Sequence, residues 1–458
     1  MTDKIVPNSF RDPSGFLFFR EGSLYRQVNR VYKEDFDHLI QSGLYKKLTG
    51  CGLLIPHEEI QLKENMSANA YKILKPELIE FLSYPYEWSF SQLKDAALTT
   101  LEIQKIALEF GMFLKDSSAY NIQLKMGRPI FIDTLSFEKY IEGEPWVAYK
   151  QFCQHFLAPL SLMSLKDIRL NQLLKVYIDG IPLELASSLL PIQTFLNFSL
   201  LVHIHSQAKF QRKLSNSCST KKPKEKLGLH SLLAVVDSLQ SAVKKMKWTP
   251  KGTEWGEYYT ESDHLRESKD QKKEVLKKFL NRLNPKKVWD FGANTGVYSR
   301  IASGRGIQTI SFDLDYACVE KNYLDVVKKN EKNIHPLLFD LVNPSPKIGW
   351  QNEESLSLIE RGPVDTVLAL ALIHHLAISN NLPLSKIANF FEKICNSLVI
   401  EFIPKNDPMV QKMISFRKDI FDDYRIESFE KEFSRFFVIL EAQRIKGSER
   451  TIYLMKKK

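Results

Sequence analysis

Apolar and polar positions change period several times along this chain of 458 residues. Over 15–28 apolar residues alternate with polar ones around a Glu-Gly-Ser turn, which predicts a hairpin. The step lengthens to a helical three-and-four over 33–48, returns to strand-like runs at 53–60 and 70–74, and lengthens again over 91–114, with Ser91 placed to cap. From residue 288 onward the runs are short and continuously apolar, at 288–291, 309–313, 335–340, 363–376 and 398–405, with helical stretches such as 316–329 and 384–398 between them. Continuous apolarity suits a parallel strand covered on both faces, and the alternation of strand and helix predicts a doubly wound α/β sheet. A late strand is expected at 451–455.

Length and composition divide the chain. At this size two domains are the default, and 44% hydrophobic with 26% charged residues is a globular balance. The net charge of +10 is local: residues 209–287 hold 20 Lys and Arg against 9 Asp and Glu, leaving the remainder close to neutral. That segment opens on Ser, Lys and Pro without apolar periodicity, as a linker does. The predicted domains are therefore an α+β region over 1–208, a basic linker with a helix over 209–250, and the doubly wound sheet over 251–458. The basic segment reads as a solvated hinge with exposed helix faces, or as a contact for RNA or another polyanion.

Five cysteines, Cys51, Cys153, Cys218, Cys318 and Cys395, are dispersed and form no C-x-x-C pair, so neither a disulfide framework nor a zinc site is indicated. The N-terminus lacks the apolar core of a signal peptide, and the most apolar helical region, 181–205, is interrupted by Pro182, Glu184 and Pro191. No membrane association and a cytoplasmic location are the expectation.

The chemistry concentrates where the first two late strands end. Val288-Trp-Asp290-Phe-Gly292-Ala-Asn294-Thr-Gly296 reads as a strand emptying into a glycine-bearing turn, and Asp313, 21 residues past Gly292, ends the next strand. Two glycines without a Cβ permit close backbone approach to a ligand, and an acid at that distance meets a ribose diol. A dinucleotide fingerprint needs glycine at 294 and 297, where Asn294 and Val297 stand. The form D-x-G-x-N-x-G instead resembles motif I of class I S-adenosyl-L-methionine (SAM)-dependent methyltransferases. That resemblance spans roughly 250–458 and implies SAM as cofactor, with Asp290 closing the strand before the turn, Gly292, Asn294 and Gly296 beside its methionine part, Asp313 at the ribose and Asp340 at the adenine.

For the acceptor end, His374 and His375 close the fourth run, either as a base or acceptor-orienting pair or as rim histidines held by hydrogen bonds. Glu401 closes the fifth, either against an acceptor amine or hydroxyl or in a salt bridge with Lys405. The N/D-P-P-Y/F motif of adenine and glutamine methyltransferases is missing. Trp255-Gly-Glu-Tyr-Tyr259 reads as a base-stacking group, a lid over the cofactor, or a packed aromatic cluster.

In the N-terminal region Asp116 and Asn121 stand five apart and precede a short hairpin ending in Asp133. That order resembles the catalytic loop and metal-binding Asp of the protein-kinase and aminoglycoside-phosphotransferase superfamily, in which Asp116 would position an acceptor hydroxyl while Asn121 and Asp133 would hold magnesium. The chain departs from it: no G-x-G-x-x-G loop is present, Leu114-Lys115 replaces His-Arg, and only Arg26, by hairpin position, could stand for the phosphate-binding lysine. A degenerate, structural or substrate-presenting kinase-like domain is the expectation. Phrases such as Trp88-Ser-Phe-Ser-Gln-Leu and Ile130-Phe-Ile-Asp-Thr-Leu, with the C-terminal half, resemble a bacterial family of two-domain methyltransferases near the NoeA-like nodulation proteins. The implied function is methyl transfer from SAM to an unidentified acceptor. The alternative is a phosphotransferase-like or substrate-presenting N-terminal domain with a SAM-sensing, non-catalytic C-terminal one.

Overall fold

The computed structural model describes residues 3–61, 68–215, 228–250, 263–415 and 418–458, so the aromatic run at 255–259 and Cys218 lie outside the described residues. The chain forms two compact units, the first from 1–249 with 347–355 and the second from 250–346 with 356–458.

Unit 1 begins with an antiparallel sheet of β1 (Lys4–Ile5), β2 (Gly15–Arg20), β3 (Ser23–Asn29), β4 (His57–Ile60) and β5 (Ala70–Pro76), in the order β1–β2–β3–β5–β4. The expected hairpin turns at Glu21 and Gly22, with φ of 52° and 76°, the paired left-handed geometry that matches strand twist. The helix expected over 33–48 is two helices, α1 (Lys33–Gln41) and α2 (Leu44–Gly50), because Gly43 turns left-handed at φ 89° between them. Phe36 of α1 packs with Val28, Tyr32, Leu74 and Leu135 against the sheet.

The next helix, α3 (Phe90–Glu109), is capped by Ser89 rather than Ser91, through a reciprocal pairing with Gln92. It is shorter than its apolar pattern suggested. Gly111 at φ 71° ends it, and Met112–Leu114 becomes a strand, β6. A loop then leads to the hairpin β7 (Ile122–Lys125) and β8 (Arg128–Phe131), turned by Met126 and Gly127, and to β9 (Phe137–Lys139), which pairs with β6. Helix α4 (Leu229–Lys245) lies on α3, where Lys94 donates to the carbonyls of Lys244 and Met246 at 3.0 and 2.8 Å.

Unit 2 is a seven-stranded sheet in the order β12–β11–β10–β13–β14–β16–β15. Its strands are β10 (Lys287–Phe291), β11 (Gln308–Asp313), β12 (Ile334–Leu338), β13 (Val364–Ala369), β14 (Cys395–Phe402), β15 (Phe437–Arg444) and β16 (Thr451–Lys457). The first five are parallel, and β16 joins antiparallel between β14 and β15. Helices α5 (Asp263–Leu283), α6 (Ser299–Ser303), α7 (Tyr316–Lys329) and α8 (Leu384–Ile394) connect or cover it. Val275, Leu276, Phe279 and Leu280 of α5 pack with Val288, Leu368, Val399 and Leu454 of four strands, which sets the core.

Helix α7 has the expected bounds, opened by the Asp315 side chain and closed by Asn330 in the left-handed region. The helix expected over 384–398 stops at Ile394, because Cys395 already begins β14. The fourth apolar run is only half strand: β13 ends at Ala369, and Ala371 at φ 51° turns the chain before a π-helical turn over His375–Ser379. No helix among the described residues is long and apolar enough to cross a membrane. Cys51, Cys153, Cys318 and Cys395 are free.

Burial depresses three histidines of unit 1, His57, His155 and His203, to about 4. In the unfolded chain they titrate near the ordinary value of about 6.5, so as pH falls the unfolded state takes protons first and unit 1 loses stability between about pH 6.5 and 4. Asp116 and Glu138, both raised by burial, act in the opposite sense, two groups against these three. Hydrogen exchange corrected for intrinsic rate should show weaker protection of α3 and β6 at pH 5.0 than at pH 7.5; equal protection would contradict this.

Candidate functional site

The carboxyl ends of the parallel strands bring the predicted cofactor residues together. After β10 the backbone runs left-handed at Gly292, Asn294 and Gly296, with φ of 71°, 51° and 78°. The Asn294 amide, thus turned, donates to Asp313 Oδ2 at 2.6 Å, and the Asp315 amide donates to Oδ1 at 2.8 Å. Burial pushes the Asp313 carboxyl up to about 6, against the lowering effect of those amides. One strand over, the Phe339 amide donates to the Asp313 carbonyl at 2.8 Å, and the rings of Phe291, Phe312 and Phe339 pack beneath, 4.8 to 6.0 Å apart. Asp340 lies just beyond, half-buried, accepting from the Val342 amide at 2.9 Å.

Asp290 faces inward. Its Oδ2 accepts from the Ser299 hydroxyl at 2.6 Å, Ser299 lies 3.1 Å from Ser311, and Asn322 donates to Ser311 at 2.9 Å. Burial raises the Asp290 carboxyl to about 7. This chain of side chains ties α6 and α7 to the sheet. Gly296 abuts it: a Cβ there would stand 2.6 Å from Asn322 Nδ2 and 2.7 Å from Arg300 Nη1, whereas one on Gly292 would meet only Leu372, at 3.5 Å.

The acceptor-end candidates come together less simply. His374 and His375 lie in the turn after β13 instead of at the strand end, with ring centroids 4.2 Å apart. His374 is 4% exposed and its Nδ1 has no hydrogen-bond partner. Burial chiefly, then the charges of His375, Arg450 and Lys272, hold its imidazole well below the ordinary value, so the ring is neutral. Glu401 is wholly buried, and its partner is Lys272, at 2.5 Å, rather than Lys405, which pairs with Asp419 at 3.0 Å. The other Glu401 oxygen accepts the Ala371 amide at 3.0 Å. Nearby Arg450 and Asp407 form a two-point ion pair at 2.7 and 3.1 Å.

Lys272 was missed by sequence reading, yet its signal was there. It holds a core-facing position of α5, three and four residues before Val275 and Leu276, where the apolar stripe calls for a hydrophobe. Four other cations of the basic segment, Lys273, Lys277, Lys278 and Arg282, pair with Asp270, Glu274 and Glu441.

Unit 1 gathers its own constellation. Asp133 Oδ1 lies 2.5 Å from Arg26 Nη1 and accepts the Leu135 amide at 3.0 Å, while Oδ2 accepts from Ser136 at 2.5 Å, and Asn121 donates to that hydroxyl at 3.3 Å. Asp116 accepts from the Ser118 amide at 2.9 Å and Gln151 at 2.8 Å; its carboxyl is raised by burial, with Asp133 adding to the effect. Lys115 turns away to Ser14 and Asp12. Among the described residues no group of three or more His, Cys, Asp or Glu could hold a metal ion.

A parallel sheet with this strand order, an antiparallel last hairpin and a glycine turn facing an acid on the neighbouring strand defines a Rossmann-like fold of the class I methyltransferase kind. The chain is 33% identical to the nodulation protein NoeA of Rhizobium meliloti (strain 1021) over 459 residues, which covers 98% of this chain and 95% of that protein. It belongs to the NoeA family. No protein-family profile matches it. Among solved structures it is similar to magnesium protoporphyrin IX methyltransferase from Synechocystis PCC 6803 at 15% identity and TM-score 0.33, covering 44% of this chain and 93% of that one. It is also similar to the N-methyltransferase NodS from Bradyrhizobium japonicum WM9, at 8% identity and TM-score 0.31 over 42% of this chain and 96% of that one. The bifunctional kinase-methyltransferase WbdD is similar at 13% identity and TM-score 0.29, over 45% of this chain and 43% of that one.

The packing around Gly296 predicts that Gly296→Ala lowers unfolding free energy by about 1–3 kcal/mol, since a left-handed non-glycine residue must also displace Asn322 or Arg300. Gly292→Ala meets no such obstruction and should cost less. Chemical denaturation of both variants measures the difference.

Proposed function

We propose that unit 2 binds S-adenosyl-L-methionine and transfers its methyl group to an acceptor that meets the sheet near His374. The observation that carries this reading is the Asp313 carboxylate, held by two backbone amides at the end of β11 beside the glycine turn of β10. A carboxylate so oriented suits a ribose diol, with the backbone of Gly292, Asn294 and Gly296 on the methionine side and Asp340 on the adenine side. Asp290 acts as scaffold through Ser299. The residues present therefore fit the cofactor.

When bound, the cofactor supplies a methyl group already activated by its sulfonium. The protein's part is to align an acceptor, keep water away and take up a proton. His374, whose Nδ1 has no hydrogen-bond partner, is the group suited to orient the acceptor and meet that proton. Glu401 has both oxygens engaged and serves the backbone rather than the acceptor. The acceptor itself is unidentified.

Calorimetric titration with SAM should give binding that weakens about 10–100-fold in Asp313→Ala, the loss of a charged hydrogen-bond pair. Affinity should also fall as pH drops through about 6, where the raised Asp313 carboxyl takes its proton. Normal affinity in Asp313→Ala would sink the pocket assignment. His374→Gln should bind SAM normally but transfer label from methyl-labelled SAM into a cell extract about 100-fold or more slowly.

A second reading concerns unit 1, where Arg26 pairs with Asp133 and Asn121 reaches the Ser136 hydroxyl that Asp133 also holds, with Asp116 close enough to Asp133 to feel its charge. Asn121 and Asp133 would hold magnesium there, and unit 2 would then sense SAM without catalysis. This reading requires magnesium-dependent ATP turnover that disappears in Asp133→Ala, and its absence from the full chain removes it.

A further inference from the structure

Resting on the methyl-transfer reading, we propose that Lys272 is a positioning residue of the acceptor end: through Glu401 it fixes the backbone turn at Ala371 and thereby places His374. The two side chains are 8% and 0% exposed, with Nζ 2.5 Å from Oε1. The second Glu401 oxygen holds the Ala371 amide at 3.0 Å, and Ala371 has φ 51°, a conformation that a residue with a Cβ keeps only when its surroundings hold it. From that turn the chain passes Leu372, the residue facing Gly292, and reaches His374. One ion pair thus reaches from helix α5 through β14 to both the glycine turn and the histidine pair.

Charge accounting supports the placement. Lys272 and Arg450 each have a carboxylate partner, Glu401 and Asp407, and both cations act on His374 together with His375. A buried carboxylate left without its cation draws in a proton or water and releases the amide it held. Loss of Lys272 therefore disturbs the turn, and also takes away one of the cations that keep His374 unprotonated.

The test is a titration of the full chain with histidine Cε1 labelled, followed by NMR together with SAM binding and label transfer into a cell extract. In Lys272→Met the His374 midpoint should rise by about one pH unit. Label transfer should fall about 10–100-fold while SAM affinity stays within about threefold, and Lys272→Arg should restore most of the rate. A Lys272→Met protein that titrates and transfers as the parent does overturns the proposal. Should that variant fail to fold, Lys272→Gln with Glu401→Gln removes both charges yet keeps an acceptor for Ala371; parent-like titration and transfer in the double variant likewise overturn it, and a displaced His374 titration supports it. The NMR reading needs no SAM, so a parent protein that neither binds nor uses SAM defeats the functional reading separately from this one.

Discussion

One carboxylate joins two loops at the carboxyl end of the parallel sheet. Asp313 ends β11, but its oxygens are taken by amides of the turn after β10 and of the loop leading into α7. The turn can offer its amide only because Asn294 is left-handed, between two glycines that are left-handed too. Strand order brings the two segments side by side, and that hydrogen bond sets their spacing. The acid is kept close to its titration range by burial while the amides hold its charged form.

Much of this was legible because strand ends in a parallel sheet are marked by an abrupt change from apolar to polar residues. Asp290, Gly292, Asp313 and Asp340 all lie at such changes, and α7 begins and ends at its capping residues Asp315 and Asn330. Legibility failed where two periods overlap. Residues 363–376 are apolar throughout, so nothing in the pattern separates the strand ending at Ala369 from the turn that follows. Residues 395–398 satisfy a helical stripe as well as a buried strand, and the sheet partner decides. Strand β15, half-exposed along most of its length, carried no readable alternation.

The partner of Glu401 was misplaced for a different reason. Lys405 is near in sequence, but β14 points Glu401 into the interior, where only a residue from another element can reach it. Sequence proximity is a guide for exposed ion pairs and a poor one for buried pairs. In unit 1 the reverse occurred. Arg26 was linked to the Asp116–Asn121–Asp133 set by hairpin position alone, and the fold brings it onto Asp133.

The polar position on the buried stripe of α5 has a mechanical consequence. An apolar helix face can slide along a sheet by a turn or rotate a little while still covering hydrophobic surface, because dispersion contacts are interchangeable. A charge cannot move that way without losing its counter-charge in a dry interior. The buried Lys272–Glu401 pair therefore disfavours any sliding or rotation of α5 over β14 that would part the two charges. Its cost in stability is repaid as uniqueness of alignment.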